Sequence, residues 1–249
     1  MRILCCVKRV PITGGRMVLT ADEQAIEPKD LGFTISPHEE CGVEEAVRLV
    51  EANGGEVVVL TLGPEEASEQ LRDCMAIGAD RGIHLVSSEE WDAQATAGAI
   101  ADAVRGEEPF DLIVLGNESA DAGGYQVGIR VAYALGLPVV TGVKALTVEG
   151  GRARCEQEVP GGRDVYDVPL PAVVTVKEGL NLPRYPSVPA KLRAKSKPLA
   201  SVTVERPASK LEKLRLVVPE GSRKQAEILG EGPGAAPRVV EVMQQLGIA

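Results

Sequence analysis

The stretch FDLIVLGNESADAGGYQVG, residues Phe110–Gly128, decides the fold class. Its first part, Phe110–Gly116, is an apolar run that indicates a buried strand, and a glycine-rich loop then leads into Tyr125–Gly136, which has the spacing of an amphipathic helix. A strand that continues through a loop into a helix is the repeating unit of a parallel sheet covered by helices. We therefore predict an α/β protein.

The same alternation precedes this stretch. The predicted strands are Arg2–Lys8, Glu56–Gly63 and Gly82–Val86, and the predicted helices are Glu39–Asn53, Pro64–Gly78 and Ala93–Gly106. In Glu39–Asn53, for example, Val43, Ala46, Val47 and Val50 recur at helical spacing. The pattern predicts an open, mostly parallel sheet with helices on both faces, a nucleotide-binding fold similar to that of the adenine-nucleotide hydrolases.

The second half of the chain differs. Two alternating runs in Lys144–Val159 are joined at Gly150-Gly151, which predicts an antiparallel hairpin, and Leu170–Val176 then indicates one more buried strand. After Lys177, prolines, basic residues and short apolar runs follow without a sustained period. We predict a nucleotide-binding α/β domain over residues 1–189 and an extended C-terminal arm over residues 190–249. The arm is expected to end in a helix, Val239–Leu246, and to pack on a partner subunit.

Composition excludes several functions. The 249 residues carry a net charge of −9 and only 3% aromatic residues, which argues against a nucleic-acid-binding protein because such proteins need basic faces and stacking platforms. No apolar segment approaches the roughly 20 residues that span a bilayer, so we expect no membrane insertion. The first residues indicate a strand rather than a signal peptide, so we expect a cytoplasmic protein.

Reactive side chains are few. The five cysteines contain no C-x-x-C motif and there are only two histidines, so we predict no metal site and regard the cysteines as buried small apolar residues. No G-x-S-x-G motif is present, and no arrangement of a nucleophile with a base is indicated, so we predict no catalytic residues. The acidic pairs Glu39-Glu40 and Glu44-Glu45 are interpreted as a solvated helix face.

The loop after the fourth strand is the richest candidate site. Gly123 and Gly124 permit close approach of the backbone, and Gln126–Gly128 begins a helix whose free N–H groups favour an anion. Asn117, Ser119, Asp121 and Gln126 offer hydrogen bonds to a sugar or a base. Neither a P-loop motif nor G-x-G-x-x-G is present. A nucleotide-binding loop and a plain glycine-rich connection both remain open.

Taken in order, these elements resemble the β subunit of electron-transfer flavoproteins. The segments that carry the resemblance are VKRVP (Val7–Pro11), SPHEECGVEEAVRL (Ser36–Leu49), LGP (Leu62–Pro64), AIGADRGIHL (Ala76–Leu85), GNESADAGGYQVG (Gly116–Gly128), VPGGRDVYDVPLPAVVTV (Val159–Val176) and LNLPRY (Leu180–Tyr185). They extend over residues 1–198. Each segment is modest alone, and their order and spacing make the match specific.

The resemblance implies a carrier subunit that buries a structural AMP. It also implies an electron-transfer flavoprotein α subunit that holds the redox FAD, and docking to dehydrogenases such as acyl-CoA dehydrogenases. By position, the AMP would contact Cys6, Ser36, Pro37, His38, Glu39, Leu62, Ser119, Asp121, Gly123, Gly124, Gln126, Val127 and Gly128. The dehydrogenase would contact Leu180, Asn181, Leu182, Pro183, Arg184 and Tyr185, with Leu180 at the position of the family's anchor leucine.

Some residues depart from the family pattern. Ser36 replaces the usual Asn before Pro37, and Val127 replaces a common Thr. These departures leave open a bifurcating-type β subunit that holds a second FAD in the same pocket, although such members carry N-P-D-D where this chain has SPHE. A stand-alone nucleotide-binding stress-type protein with a similar sheet is the remaining alternative. It would form a homodimer and would have no use for the C-terminal arm.

Overall fold

A nine-stranded sheet organises the chain in a computed structural model that describes residues 1–12, 17–29, 31–209, 211–218 and 227–248. The strands are β1 Arg2–Cys6, β2 Val10–Pro11, β3 Phe33–Thr34, β4 Glu56–Gly63, β5 Arg81–Val86, β6 Leu112–Gly116, β7 Val139–Glu149, β8 Arg152–Val159, β9 Gly162–Pro169, β10 Ala172–Val176 and β11 Leu199–Thr203. The α-helices are α1 Pro37–Asn53, α2 Ser68–Ile77, α3 Ala93–Arg105, α4 Val127–Leu135, α5 Val188–Ala194 and α6 Ala236–Gln245.

The strand order in the sheet is β11-β5-β4-β1-β6-β10-β7-β8-β9. All pairs from β11 to β7 are parallel, whereas β8 and β9 continue the sheet antiparallel. The short strands β2 and β3 form a separate antiparallel pair. The predicted open, mostly parallel sheet with a hairpin extension is therefore confirmed.

Helices cover both faces of the sheet, as predicted. Ile3 and Cys5 of β1 point into the core under α1 and α2, and Leu4 and Cys6 point into the core under α3 and α4. This alternation follows from the twofold period of side chains along a strand. All five cysteines are buried and free, which confirms their interpretation as small core residues.

Strand β7 begins earlier than the sequence indicates. Its first half, from Val139 to Val143, pairs parallel with β10, and only its second half forms the predicted antiparallel hairpin with β8. The hairpin turns at Gly150 and Gly151, whose φ angles of 58° and 74° suit a two-residue turn with both central residues in the left-handed region. A register shift after Val143 marks the change between the two pairings.

The segment after Pro186 corrects the expectation of an extended arm from residue 190. Val188–Ala194 forms α5, and Leu199–Thr203 forms β11, which pairs in parallel with β5 at the edge of the main sheet. Pro189 does not prevent the helix because it lies in the first turn, where a backbone N–H needs no helical partner. The division of the chain at residue 189 and the packing of the arm on a partner subunit stay predictions.

The end of the chain contains the predicted helix, which is α6 at Ala236–Gln245. Its apolar side chains Val239, Val240 and Met243 are exposed. None of the helices in the described ranges is long and apolar enough to cross a membrane.

Arg72 attaches the segment between α5 and β11 to α2. Its Nη1 donates to the carbonyl oxygens of Ala194 and Lys197, at 2.7 Å in each case. In return, Lys197 Nζ donates to the carbonyl oxygens of Met75 and Ala79 near the end of α2, at 3.0 and 2.6 Å. These charge-assisted bonds fix the start of the edge strand to the body of the domain.

We predict that Arg72→Leu lowers the free energy of unfolding by about 1–3 kcal/mol, because two carbonyl oxygens lose a charged donor in a partly buried site. Urea unfolding measures the loss, and hydrogen exchange should show that β11 opens first. The control is Arg154→Leu, whose exposed side chain has a carboxylate partner only at 3.7 Å and should cost under about 1 kcal/mol. Equal losses in both variants would contradict the attachment.

Candidate functional site

Loops at the carboxyl ends of β1, β4, β5 and β6 enclose a cavity of about 290 Å³. Strand β1 lies between β4 and β6. From β1 the chain passes through α1 to β4 on one side, and from β6 it passes through α4 to β7 on the other side. Ligands of open α/β sheets bind at this kind of topological switch. The cavity size is near the lower end of the range for small-molecule sites.

The cavity gathers most of the predicted cofactor-binding segments. The predicted residues that line it are Cys6, Glu39, Leu62, Ser119, Gly124, Gln126 and Val127. The remaining predicted residues belong to the elements that carry this lining and are Ser36, Pro37, His38, Asp121, Gly123 and Gly128. The geometry therefore brings the loop after β6, the start of α1 and the end of β4 together around one space.

Glu39 joins two of these loops from inside the protein. It is buried, and its Oε2 accepts the backbone N–H of Lys8 at 3.0 Å and that of Ser36 at 3.3 Å. Burial raises the pKa of Glu39 to about 8, although the two N–H bonds favour the ionised form. One side chain therefore fixes the loop after β1 to the beginning of α1.

The acidic pairs on α1 do not form the solvated face that we expected. Glu39 and Glu44 are buried, with 7% and 1% of their surface exposed, whereas Glu40 and Glu45 are partly exposed. The interpretation was wrong for the first residue of each pair because each has polar partners from distant parts of the chain. A buried carboxylate needs such partners, which one-dimensional spacing does not reveal.

One ion pair and one histidine contact connect the loops at the rim of the cavity. Lys8 Nζ lies 2.6 Å from Asp121 Oδ2 and so connects the loop after β1 with the loop after β6. Burial alone would raise the pKa of Asp121, but the hydrogen bond and charge of Lys8 lower it. His38 accepts the N–H of Glu178 at Nδ1, which places the proton of the neutral ring on Nε2, facing Glu118 Oε1 at 3.4 Å.

The start of α4 faces the cavity. Gln126 is its N-cap residue and makes no side-chain capping bond, so the first N–H groups of the helix remain available to an anion. A Cβ at Gly128 would lie 2.3 Å from Thr175 Cγ2, so only glycine lets this helix start lie so close to β10. Tyr125 precedes it with a φ of 54°, which turns the chain sharply into the helix.

Several lining residues were not predicted. Lys8, Arg9 and Trp91 are among them, whereas Asn117 and Tyr125 belong to the loop after β6 that the sequence did identify. Arg9 lies with its guanidinium carbon 3.4 Å from the centre of the Phe33 ring, and its buried Nε has no hydrogen-bond partner among the described residues. An unpartnered buried donor beside a cavity favours a ligand with acceptor oxygens.

Trp91 comes from the loop after β5, which is not one of the predicted site segments. Its Nε1 donates to Ser87 Oγ at 3.0 Å, so the indole is held with its polar atom satisfied. It is the only tryptophan of the chain and closely follows a buried strand, a signal that could have identified it. The cavity thus combines a helix start and aromatic walls with two cationic side chains and four acidic ones, Glu39, Glu89, Glu90 and Glu118. A flat ligand suits the aromatic walls, and the place for an anionic group is the helix start.

The predicted partner-binding segment Leu180–Tyr185 packs along α1, against residues farther along the helix than Glu39. Arg184 makes a two-pronged contact with buried Glu44, Nε to Oε2 at 2.9 Å and Nη2 to Oε1 at 3.1 Å. The same guanidinium reaches Glu51 at 2.6 and 2.9 Å. Burial by itself would raise the pKa of Glu44, but the hydrogen bonds from Arg184 and Arg48 lower it. Asn181 Nδ2 adds bonds to the Cys41 carbonyl and to Glu45 Oε2, so the segment is fixed to the helix along its length.

The apolar side chains of this segment divide into two groups. Leu180 is partly buried and packs against the main core, whereas Leu182 and Tyr185 are 85% and 96% exposed. Polar contacts therefore hold the backbone while two large apolar side chains point to solvent. Exposed apolar side chains on a rigid backbone are typical of an interaction surface.

We predict that Glu39→Gln removes a pH dependence of stability. The folded protein keeps the Glu39 proton up to a pKa of about 8, whereas the unfolded chain loses it near 4.5, so the free energy of unfolding falls as the pH rises between these values. The fall from pH 5 to pH 8 should be smaller in Glu39→Gln by at least about 1.4 kcal/mol, the equivalent of one pKa unit. Urea unfolding at three pH values measures it.

The matched control for this prediction is Glu66→Gln, because Glu66 is exposed in the turn before α2. Its pH profile should follow that of the unmodified protein. A Glu39→Gln profile that also follows the unmodified protein would show that Glu39 ionises in the folded state as freely as in the unfolded chain.

Comparison with known proteins agrees with this geometry. The family model described as the electron transfer flavoprotein domain matches residues 25–207. The electron transfer flavoprotein subunit beta of Syntrophomonas wolfei is 36% identical over 245 residues, which cover 98% of this chain and 96% of the relative. The subunits of the same name from Bradyrhizobium diazoefficiens and Bacillus subtilis are 36% and 32% identical and cover 90% and 82% of this chain, and 91% and 80% of their own lengths. A match of this extent, over the segments that build the cavity and the loop beside α1, shows that the chain belongs to the electron transfer flavoprotein β-subunit family.

Proposed function

We propose that this chain binds a structural AMP and docks dehydrogenases, so that FAD in its α-subunit partner can accept electrons and pass them on. The cavity at the switch point of the sheet, closed by the uncapped start of α4, is the observation that carries the proposal. Membership of the β-subunit family implies the α-subunit partner. The cytoplasmic location expected from the sequence stays a prediction.

The cavity supports an adenine nucleotide in two ways. The free N–H groups of α4 from Val127 onward suit a phosphate, and the unpartnered Nε of Arg9 offers a further donor to an oxygen. Trp91 and Tyr125 supply apolar surface of the kind that covers a base. In this proposal Glu39, Lys8 and Asp121 act by holding the loops around the ligand.

The redox chemistry in this proposal belongs to the FAD of the α subunit. The β chain acts as an electron-carrier subunit without catalytic residues of its own. Its contributions are to bind the nucleotide, to exclude water from the switch point, and to present the segment Leu180–Tyr185 to dehydrogenases such as acyl-CoA dehydrogenases. The exposure of Leu182 and Tyr185 on a backbone held by Arg184 supports this docking role.

Two alternatives to this proposal remain. One differs in the ligand of the cavity, and the other differs in the oligomer that the chain forms. A bifurcating-type β subunit would hold a second FAD there. A groove between α3 and β11 shares Trp91 with the cavity. This groove offers additional space for a nucleotide longer than AMP. A stand-alone stress-type protein would form a homodimer, and the family membership argues against it.

We predict that denaturing the purified heterodimer releases one AMP and one FAD, measured by mass spectrometry and absorbance. Gly128→Ala should reduce the AMP content by more than half with the FAD content unchanged, because the added methyl forces the start of α4 away from Thr175. Gly162→Ala at the start of β9 is the control, since a Cβ there meets nothing within 4 Å and the residue lines neither the cavity nor the groove. Two FAD per heterodimer would favour the bifurcating alternative, and no nucleotide besides one FAD would contradict both.

We also predict that Arg184→Gln weakens docking. Loss of the guanidinium frees the segment from Glu44 and Glu51, so the KM of the heterodimer for an acyl-CoA dehydrogenase should rise about tenfold, equivalent to about 1.4 kcal/mol. The AMP content should not change, and hydrogen exchange should increase in residues 180–186. Arg152→Gln removes an exposed arginine that pairs with Asp167 on the hairpin and is the matched control. A normal KM with increased exchange would show that rigidity of the segment does not matter for docking.

A further inference from the structure

The chain that follows β11 crosses the outside of the loop after β5. We call this segment, residues 204–209 and 211–216, the strap, and we call the loop that it contacts, residues 87–92, the wall. Three side-chain contacts connect the two: Arg206 Nε with Glu89 Oε2 at 2.6 Å, Ser209 Oγ with Asp92 Oδ2 at 3.2 Å, and Lys213 Nζ with Glu90 Oε2.

The wall separates the cavity from the groove beside it. Glu89, Glu90 and Trp91 line the cavity, and Trp91 also lines the groove, together with Pro207 and Ala208 of the strap. No described residue of the strap lines the cavity itself. The strap therefore supports the cavity from outside, through the wall.

The far end of the strap is attached to a second segment near the cavity. Leu216 donates its backbone N–H to the carbonyl oxygen of Glu23 at 2.8 Å. Gln24 Nε2 donates to the carbonyl oxygen of Leu214, also at 2.8 Å. Glu23 and Gln24 lie in the connection between β2 and β3, which follows the cavity-lining residues after β1. One segment thus bridges the loop after β5 and the chain that continues from β1.

The contacts of the strap lie at the surface, so the strap can detach without opening the core. None of its described residues is buried, and Leu211 and Leu214 are 76% and 79% exposed. Exposed ion pairs contribute little individually and are weakened by salt. Segments with few buried contacts are the first to open in a folded protein.

Other parts of the cavity lining are held from within the domain. Buried Glu39 fixes the start of α1, and Gly128 lets the start of α4 pack closely on β10. By contrast, the only basic groups within 4.0 Å of Glu89 and Glu90 among the described residues are those of the strap. The wall is therefore the part of the lining whose position depends on the strap.

The strap also changes the charge at the cavity. Glu89 and Glu90 line a space proposed for an anionic nucleotide, and unpaired carboxylates there would repel its phosphate. Arg206 and Lys213 neutralise both carboxylates while the strap is attached. Detachment of the strap would free the wall and restore this repulsion at the same time.

We propose that the strap is a latch that controls exchange of the nucleotide, which enters and leaves past the wall once the strap has detached. This inference rests on the nucleotide binding proposed above and adds to it a route and a means of control. The surface contacts of the strap make the latch able to open, and its pairing with two cavity carboxylates connects the opening to the ligand.

The experiment measures exchange of bound AMP in the purified heterodimer. Excess isotope-labelled AMP is added at low and at high salt, and mass spectrometry follows the replacement of the bound nucleotide. The variant is R206Q/K213Q, which removes both cations and leaves every cavity-lining residue unchanged. The control is R152Q/R163Q, which removes two exposed ion pairs of the β8–β9 hairpin. Hydrogen exchange of residues 87–92 reports on the wall, and size-exclusion chromatography checks that the heterodimer is intact.

R206Q/K213Q should release AMP about threefold to tenfold faster than the parent, and hydrogen exchange of the wall should increase. Salt should accelerate release from the parent more than from this variant, because the variant lacks the ion pairs that salt screens. The control should match the parent in all three measurements, since its ion pairs lie outside both the strap and the cavity lining.

Four outcomes would overturn the inference. Release at the parent rate from R206Q/K213Q, with faster hydrogen exchange in the wall, would show that the nucleotide leaves by another route. An unchanged rate with unchanged hydrogen exchange would show that the strap does not hold the wall. Equal acceleration in the control would attribute the effect to overall charge. A parent heterodimer without AMP would contradict the proposed function itself, and the latch would fail with it.

Discussion

The parallel pairing of β1 with β4 on one side and with β6 on the other determines where the functional elements lie. Parallel strands end at the same edge of a sheet, so the loops that follow these three strands must meet there. Because the chain then leaves β1 and β6 in opposite directions, the loops separate and a cavity opens between them. The central position of β1, paired in parallel on both sides, thus creates the site.

Helix α1 connects this cavity with the surface that we assign to docking. Glu39 in its first turn faces the cavity and holds the loop after β1. Glu44 and Glu51, farther along the helix, hold Arg184 and with it the exposed Leu182 and Tyr185. A nucleotide that fixes the start of α1 would therefore also fix the support of the docking segment. This gives a physical reason why a carrier subunit would keep a nucleotide that takes no part in electron transfer.

Periodicity in the sequence was sufficient for most of the fold. The predicted bounds of β4 are those observed, and α1, α3 and α4 begin and end within two residues of the predicted positions, because each combines a clear apolar period with a glycine or a cap at its end. Strand β11 was missed because an edge strand needs apolar residues on only part of its length. Helix α5 does not stand out in the sequence because the residues after Lys177 have no sustained apolar period, although a first helical turn accepts Pro189.

Fewer features of the site than of the fold could be predicted from the sequence. The loop after β6 could be identified from its glycines and its place between a strand and a helix. By contrast, the burial of Glu39 and Glu44 depends on Lys8 and Arg184, which are 31 and 140 residues away in the chain, and no local pattern reports such partners. Trp91 was missed for a similar reason, since the neighbourhood of its loop depends on the strand order β5-β4-β1.

The residues up to Thr203 are attached to the sheet, whereas helix α6 near the C-terminus is not covered by it, and this difference bears on assembly. Residues up to Thr203 are held by backbone pairing and by Arg72, so they belong to the surface of the domain. Helix α6 instead has Val239, Val240 and Met243 exposed, and no residue of this helix is buried. A helix with an exposed apolar side gains stability only when a partner covers it. Membership of the family implies an α subunit, and the exposed apolar side of α6 is consistent with a contact of that kind. The segment Leu180–Tyr185, by contrast, is held to α1 through Arg184, so its backbone is fixed by this chain alone.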